Sequence, residues 1–201
     1  MKKVLLMASI MMSSLCAFAQ REVGLWTIQP KAGLNIADIT DSDMDSRVAF
    51  AAGVELEYQI TDLYSISLGM LYSMQGAKDT YKTSGTNAKA TLKADYINIP
   101  IMLNCYVTEN FAVKLGIQPS FNVKSDFDVS VKGYSFRGNM SDMGLDMKSF
   151  DFAIPVGMSY EYKNFVFDCR YNYGVVNLFD EDESHSRNSV FQFTLGYKFS
   201  L

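Results

Sequence analysis

The chain has few of the residues that usually carry catalysis or redox chemistry. It contains three cysteines and one histidine among 201 residues. Cys105 and Cys169 are far apart and lie in apolar strand patterns, so a disulfide framework is not expected. The sequence also has no glycine-rich phosphate loop and no Cys/His spacing typical of a metal site. We therefore expect no enzymatic activity, no catalytic or metal site and no cofactor.

Long apolar runs and basic clusters are missing as well. After residue 19 no stretch of 18 consecutive apolar residues occurs, which excludes a membrane-spanning helix. The net charge is -4 for the whole chain and about -6 once the two N-terminal lysines are removed. Since no basic stripe is present, no nucleic-acid partner is expected.

The N-terminus has the pattern of a secretory signal peptide. Lys2 and Lys3 precede an apolar run over residues 4–18. The run ends in Ala17-Phe18-Ala19, the small-x-small pattern that signal peptidase accepts. We predict a signal peptide over 1–19 and one domain over 20–201. Lipidation at Cys16 is disfavoured because the preceding residue is the bulky Leu15.

The remaining sequence alternates between apolar and polar residues in eight segments, each long enough to cross a bilayer as a tilted strand. Tight turns at Thr61-Asp62, Glu109-Asn110 and Lys163-Asn164 alternate with long polar connections. This alternation predicts an all-β, eight-stranded antiparallel up-and-down transmembrane barrel with periplasmic termini. The predicted strands are 26–37, 47–60, 63–75, 95–108, 110–124, 150–162, 165–178 and 189–201, and the long connections are 38–46, 76–94, 125–149 and 179–188.

Alternation alone does not tell which face points outward, because a soluble lipocalin-like barrel holding an apolar ligand has eight strands too. Gly24-Leu25-Trp26 matches the lipocalin Gly-x-Trp pattern. The apolar face, however, carries aromatics at strand ends and aliphatics in the middle, as interfacial girdles around a hydrocarbon band would. This order favours an apolar face turned to lipid.

Three motifs resemble those of the PorT-like family of small outer-membrane β-barrel proteins. They are Tyr96-Ile97-Asn98-Ile99-Pro100, Arg170-Tyr171-Asn172-Tyr173-Gly174 followed by Asn177, and Leu195-Gly196-Tyr197-Lys198-Phe199. The resemblance covers essentially all of the chain after the predicted signal peptide. It implies a bacterial outer-membrane location and a barrel fold, and one branch of the family is linked to protein secretion.

The polar face carries four positive and four negative residues that we expect inside the barrel. Unpaired charges in a narrow lumen would be costly, so we expect them to pair. One interpretation is a gate or proton path; the favoured one is an interior plug that fixes strand register, because eight strands leave room only for side chains. The eight residues are Lys31, Glu55, Glu57, Lys114, Glu161, Asp168, Arg170 and Lys198.

Two polar connections contain other candidate groups. Asp41-x-Asp43-x-Asp45 suggests calcium, but the glycine and glutamate of an EF-hand loop are missing. With Asp180 to Glu183 it is more simply a solvated acidic rim. His185 is the only histidine, and a lone loop histidine without a converging nucleophile does not make a catalytic site.

These observations predict a monomeric, non-enzymatic protein integral to the outer membrane. We expect it to contact outer-membrane lipid and to act through its extracellular loops, supporting a secretion or envelope assembly. In the third long connection, Val129 to Val131 and Tyr134 to Phe136 flank Lys132-Gly133, a pattern that favours a protruding hairpin. A narrow porin-like channel for small solutes and a lipocalin-like binder are the alternatives.

Overall fold

The computed structural model describes residues 22–40, 45–83, 86–131, 134–139, 148–177 and 187–201. The predicted signal peptide, 1–19, lies outside them. The described residues form twelve strands in one sheet. The strands are β1 (Trp26–Ile39), β2 (Asp45–Gln59), β3 (Tyr64–Gln75), β4 (Ala77–Thr83), β5 (Thr86–Asn98), β6 (Ile101–Tyr106), β7 (Phe111–Val131), β8 (Tyr134–Asn139), β9 (Phe150–Tyr162), β10 (Phe165–Gly174), β11 (Asn188–Tyr197) and β12 (Phe199–Ser200).

The sheet closes on itself. Its neighbour order runs β1, β2, β4, β5, β3, β6, β7, β9, β10 and β11, and β11 pairs again with β1. The ring is thus a closed barrel of ten strands, with β12 following β11 along β1 and with β8 pairing with β7. The antiparallel β-barrel is confirmed, but the prediction of eight strands is wrong.

The difference in strand number comes from segments that were predicted to be water-facing connections. Residues 76–94 contain β4 and much of β5, which pair with each other along their length. Pro100 divides the predicted strand 95–108 into β5 and β6, because proline has no N–H to donate to a ladder. Both parts pair with β3.

Three tight connections, residues 60–63, 107–110 and 163–164, lie at one end of the barrel, which we call the short-turn rim. Both ends of the described chain are there too, since the Leu201 amide donates to the Trp26 carbonyl at 2.9 Å. Lys163 has a φ of 56°, a left-handed conformation that tight turns require. The opposite end is the long-connection rim.

Apolar and polar side chains separate between the two faces of the wall. Leu68 and Leu115 point outward and are 51% and 55% exposed, whereas Ser67 and Gln192 point inward and are buried. A barrel that encloses an apolar ligand has the opposite arrangement, so the lipocalin-like alternative is wrong. In the described part of the chain, no helix has the length and apolar character needed to cross a membrane.

Aromatic side chains gather at both ends of the apolar outer face. At the short-turn rim the rings of Trp26 and Tyr58 lie 4.7 Å apart, and towards the long-connection rim those of Phe121 and Phe150 lie 5.7 Å apart. This order is the one expected for a hydrocarbon band between two interfaces. Between the two belts the exposed residues include Ile66, Leu68, Leu103, Leu115, Val156 and Leu195.

Candidate functional site in the barrel interior

The eight charged residues singled out in the sequence all lie on the inner wall. Each is at most 8% exposed, because each is one of the alternate residues of its strand that point into the barrel. They come from β1, β2, β7, β9 and β10 and from the residue between β11 and β12. The set is Lys31, Glu55, Glu57, Lys114, Glu161, Asp168, Arg170 and Lys198.

Five of them form one contact group, the central cluster. Glu55 is 2.6 Å from the Lys31 Nζ, 3.2 Å from the Lys114 Nζ and 3.1 Å from the Arg170 Nη2. Asp168 is 2.8 Å from the Lys114 Nζ and 2.7 Å from the Arg170 Nε. A longer contact of 3.7 Å joins it to Lys31. Each carboxylate therefore contacts all three cations.

The other three residues form a second group near the short-turn rim, the Lys198 cluster. The Lys198 Nζ lies 2.8 Å from Glu57 and 2.5 Å from Glu161. The Tyr106 hydroxyl donates to Glu57 at 2.5 Å and lies 3.1 Å from Glu161. Ser65 also donates to Glu57, at 2.6 Å. Together these contacts connect strands on several sides of the barrel.

The two clusters carry opposite charge excesses. The central cluster has three cations for two carboxylates, whereas the Lys198 cluster has one cation for two carboxylates. Across the set the charges balance, as a buried group of this size requires. One donor, the Arg170 Nη1, is buried without a hydrogen-bond partner among the described residues.

Neutral side chains continue the polar interior beyond the clusters. The Asn35 amide donates to Ser73 at 2.8 Å, and Gln192 donates to Asn35 at 2.9 Å. Both described cysteines, by contrast, are half-buried and occupy positions of their strands that face lipid. The barrel interior is thus filled by ion pairs and by hydrogen bonds from side-chain amides, and both kinds of contact join different strands.

Sequence reasoning missed the uncharged members of the site. Tyr106, Ser65 and Asn104 are almost fully buried, and Asn104 donates to Ser65 at 2.9 Å. The alternation of the strand could have identified Tyr106, because residue 106 lies on the same inward face of β6 as Asn104 and Met102.

A second feature lies beyond the long-connection rim, where β4, β5, β7 and β8 form what we call the projecting sheet. β7 pairs with β9 only up to Phe121 but continues to Val131. Asp128 on β7 is 3.2 Å from Lys93 on β5 and 3.1 Å from Arg137 on β8. The hydrogen bonds from Lys93 and Arg137 lower the pKa of Asp128.

The outermost strand of this sheet exposes a large apolar side chain. Phe136 on β8 is 68% exposed, while its ring lies 5.9 Å from that of the buried Phe127. A side chain added at Gly138 would meet the Phe127 ring at 2.7 Å, so glycine lets β8 pack closely on β7.

Several sequence candidates lie outside the described residues. They include Asp41 and Asp43 of the calcium-like spacing, the acidic run at 180–183, and His185. Asp45 begins β2, where it pairs with Lys78. Within the described part of the chain, no three acidic, histidine or cysteine side chains are grouped so as to hold a metal ion.

Comparisons with known proteins agree with this architecture. The family model described as outer membrane protein beta-barrel domain matches residues 18–180. The comparison with curated proteins finds no match. The resemblance to the PorT-like family is not confirmed by these comparisons.

Solved structures with a similar fold have low sequence identity. Ail, the attachment invasion locus protein of Yersinia pestis, has 13% identity and a TM-score of 0.52, covering 89% of this chain and 100% of that one. Neisserial surface protein A has 17% identity and a TM-score of 0.47, with 87% and 97% covered. OprG from Pseudomonas aeruginosa has 14% identity and a TM-score of 0.44, with 90% and 99% covered. The Ail similarity supports the fold alone.

Proposed function

Because the chain belongs to the outer membrane protein beta-barrel domain family, we propose that it is a non-enzymatic, monomeric barrel that binds another envelope protein through its projecting sheet. The partner class we favour is a component of a secretion or envelope assembly. The observation that carries this proposal is the projecting sheet, an ordered surface well beyond the lipid-facing wall.

The reach of the sheet supports a docking role. β7 extends ten residues past its last pairing with β9, a distance of about 33 Å for an extended strand. In the described part of the chain, β8 pairs with β7 along one edge only. An open strand edge next to an exposed aromatic offers both backbone hydrogen bonds and an apolar anchor to a partner strand.

The filled interior argues against the channel alternative. Arg170 is the largest fully buried side chain among the described residues, and it contacts Glu55 on β2, three strands away around the ring. Side chains from several strands meet in the same way throughout the two clusters. We therefore interpret the interior charges as a plug that fixes strand register rather than as a gate.

The proposed orientation puts the projecting sheet outside the cell and both termini in the periplasm, after removal of a signal peptide over 1–19. An epitope tag inserted after Asp43 should then bind antibody on intact cells. A tag at Lys163-Asn164 should bind only after the outer membrane is opened. The reverse pattern would contradict the topology, and N-terminal sequencing of the membrane protein tests cleavage before Gln20.

Site-specific photo-cross-linking tests the docking role. A benzophenone amino acid replaces Phe136 in one variant and the lipid-facing Phe193 in a matched control, which is 46% exposed. We expect a discrete protein adduct from the Phe136 position and none from the Phe193 position. If both positions yield the same adducts, or if neither yields one, the projecting sheet is not a docking surface.

A further inference from the structure

The outer wall of the barrel has a recess that the ion-pair clusters and the projecting sheet do not explain. Two apolar grooves, of about 570 Å³ and about 410 Å³, meet on the lipid-facing side at Ala32 and Leu195. They cross the seam where β1 pairs with β11. Asp168 and Lys31 belong to the wall behind the recess, but their side chains point into the central cluster.

Strand register explains why a recess forms there. Ala32 pairs with Ala52 on β2 and with Leu195 on β11, so two small outward side chains stand next to each other. One step towards the long-connection rim, Leu34 pairs with Phe50, and both are outward and exposed. The alanines form a floor, and bulky neighbours form its walls.

The recess reaches from the aromatic belt into the hydrocarbon region. Phe165 and Tyr197 line its end at the short-turn rim, and their rings lie 5.2 Å apart. Ile36 and Val48 line the other end. A lipid whose headgroup sits at the short-turn rim would therefore have one chain aligned with the recess.

We propose that this recess holds one acyl chain of a membrane phospholipid, in preference to the rest of the lipid-facing wall. Burial of apolar surface gives no driving force inside a bilayer, so retention must come from closer van der Waals contact on several sides of the chain. A floor of two alanines between larger side chains provides that contact for a thin, flexible chain. The convex wall of a second barrel would rest on the bulky neighbours without reaching the floor.

The probe is a phosphatidylethanolamine with a diazirine in one acyl chain, mixed into phosphatidylcholine vesicles that contain the full barrel. After irradiation, mass spectrometry compares labelling of the recess at Leu195 with labelling at Leu115. Leu115 is the same residue type on the same lipid-facing wall and is similarly exposed, 55% against 44% for Leu195, so it is a matched control outside the recess. We expect roughly fivefold more label in the recess, because many small contacts add up there.

Filling the recess supplies the second arm. Ala32 and Ala52 point outward, so replacing either by phenylalanine leaves the interior unchanged. Ala32→Phe and Ala52→Phe should each reduce recess labelling to the level measured at Leu115. Leu103→Phe, on the lipid-facing surface of β6, should leave recess labelling unchanged. Equal labelling at Leu195 and Leu115 in the wild type would overturn the proposal.

A second copy of the chain is the competing occupant, and Cys169 reports on it because it lines the recess. In a variant in which Cys169 is the only cysteine, a short bismaleimide should leave the protein monomeric in vesicles. Efficient cross-linking into dimers, together with an unlabelled recess, would overturn the lipid proposal in favour of a barrel–barrel contact.

Discussion

Within the central cluster, each carboxylate contacts three cations. Replacing one of the two carboxylates should therefore destabilise the protein more than replacing one cation. Removing Lys31 leaves two cations and two carboxylates, a balanced group. Removing Glu55 leaves three cations around one carboxylate. Breaking a buried ion pair is costly chiefly because a charge stays buried without compensation.

We therefore predict that Glu55→Gln lowers the free energy of unfolding by about 3 to 5 kcal/mol, and that Lys31→Met lowers it by clearly less. Urea unfolding of both variants in phospholipid vesicles measures the difference. Arg170→Lys is a useful comparison, since it keeps the positive charge but loses the two hydrogen bonds that Arg170 Nε and Nη2 donate to Asp168. A Lys31→Met cost equal to that of Glu55→Gln would contradict the charge argument.

The lipid-facing wall permits a second prediction for single residues. Leu115→Arg puts a charge on the outward face at mid-strand, where it should cost about 2 to 4 kcal/mol in a bilayer. Val123→Arg is the control, on the same face of β7 but past the aromatic pair of Phe121 and Phe150; its cost should be about 0 to 1 kcal/mol. Equal costs in vesicle unfolding would mean that Leu115 does not lie at hydrocarbon depth.

For whole strands, alternation predicted which residues face inward better than it predicted where strands occur. Lys31, Glu55 and Arg170 were assigned to the interior because a strand buried on one face must alternate. Beyond the membrane both faces of a sheet can meet water, so β4 and the first part of β5 carry no such pattern, whereas the alternation around Lys132-Gly133 did indicate the hairpin of β7 and β8. The pairing of β4 with β5 depends on backbone hydrogen bonds, which every residue except proline can donate. Residues 76–94 therefore give no strand pattern and are predicted from the sequence as a loop.

The two clusters show a similar limit. Sequence alone indicated which charges share the interior but not how they divide, because that depends on the register between strands that are distant in sequence. Glu55 and Arg170 are 115 residues apart and meet at 3.1 Å. The preference of Tyr106 for the interior also depends on Glu57 and Glu161 being on facing strands.

The attachment of β8 to the projecting sheet should depend on pH through Asp128. Its folded-state pKa lies below the ordinary value of 3.8, so its ion pairs stabilise the sheet fully above that value. This contribution is lost as the pH falls through the folded-state pKa. We expect hydrogen-exchange protection of β8, corrected for intrinsic rates, to fall on acidification below about pH 4.

The Asp128→Asn variant should show weaker β8 protection at neutral pH and little further change in acid. Asp126→Asn is the matched control on the same strand, because the Asp126 carboxylate forms its ion pair with Lys124 of β7 rather than with a side chain of β8. It should keep the wild-type pH dependence. An unchanged pH profile in Asp128→Asn would show that the three-strand ion pair does not hold β8.

For the whole molecule, the closed wall and the filled interior together determine what can pass through the barrel. An ion moving along the axis would have to displace the Lys198 cluster and then the central cluster, and every charged residue of the two clusters is at most 8% exposed. Displacement would leave buried charges without partners, at a cost of several kcal/mol for each. The barrier is therefore electrostatic as well as steric.

We predict that the wild-type barrel shows no large, steady conductance in planar-bilayer recordings. Arg170→Gly removes the largest fully buried side chain of the described residues and its contact with Glu55 on β2, so this variant should show more frequent and larger current steps. Leu103→Phe changes only the lipid-facing side and should behave like the wild type. Steady wild-type currents that Arg170→Gly does not increase would mean that ions bypass the central cluster, and would favour a channel over the plugged docking barrel.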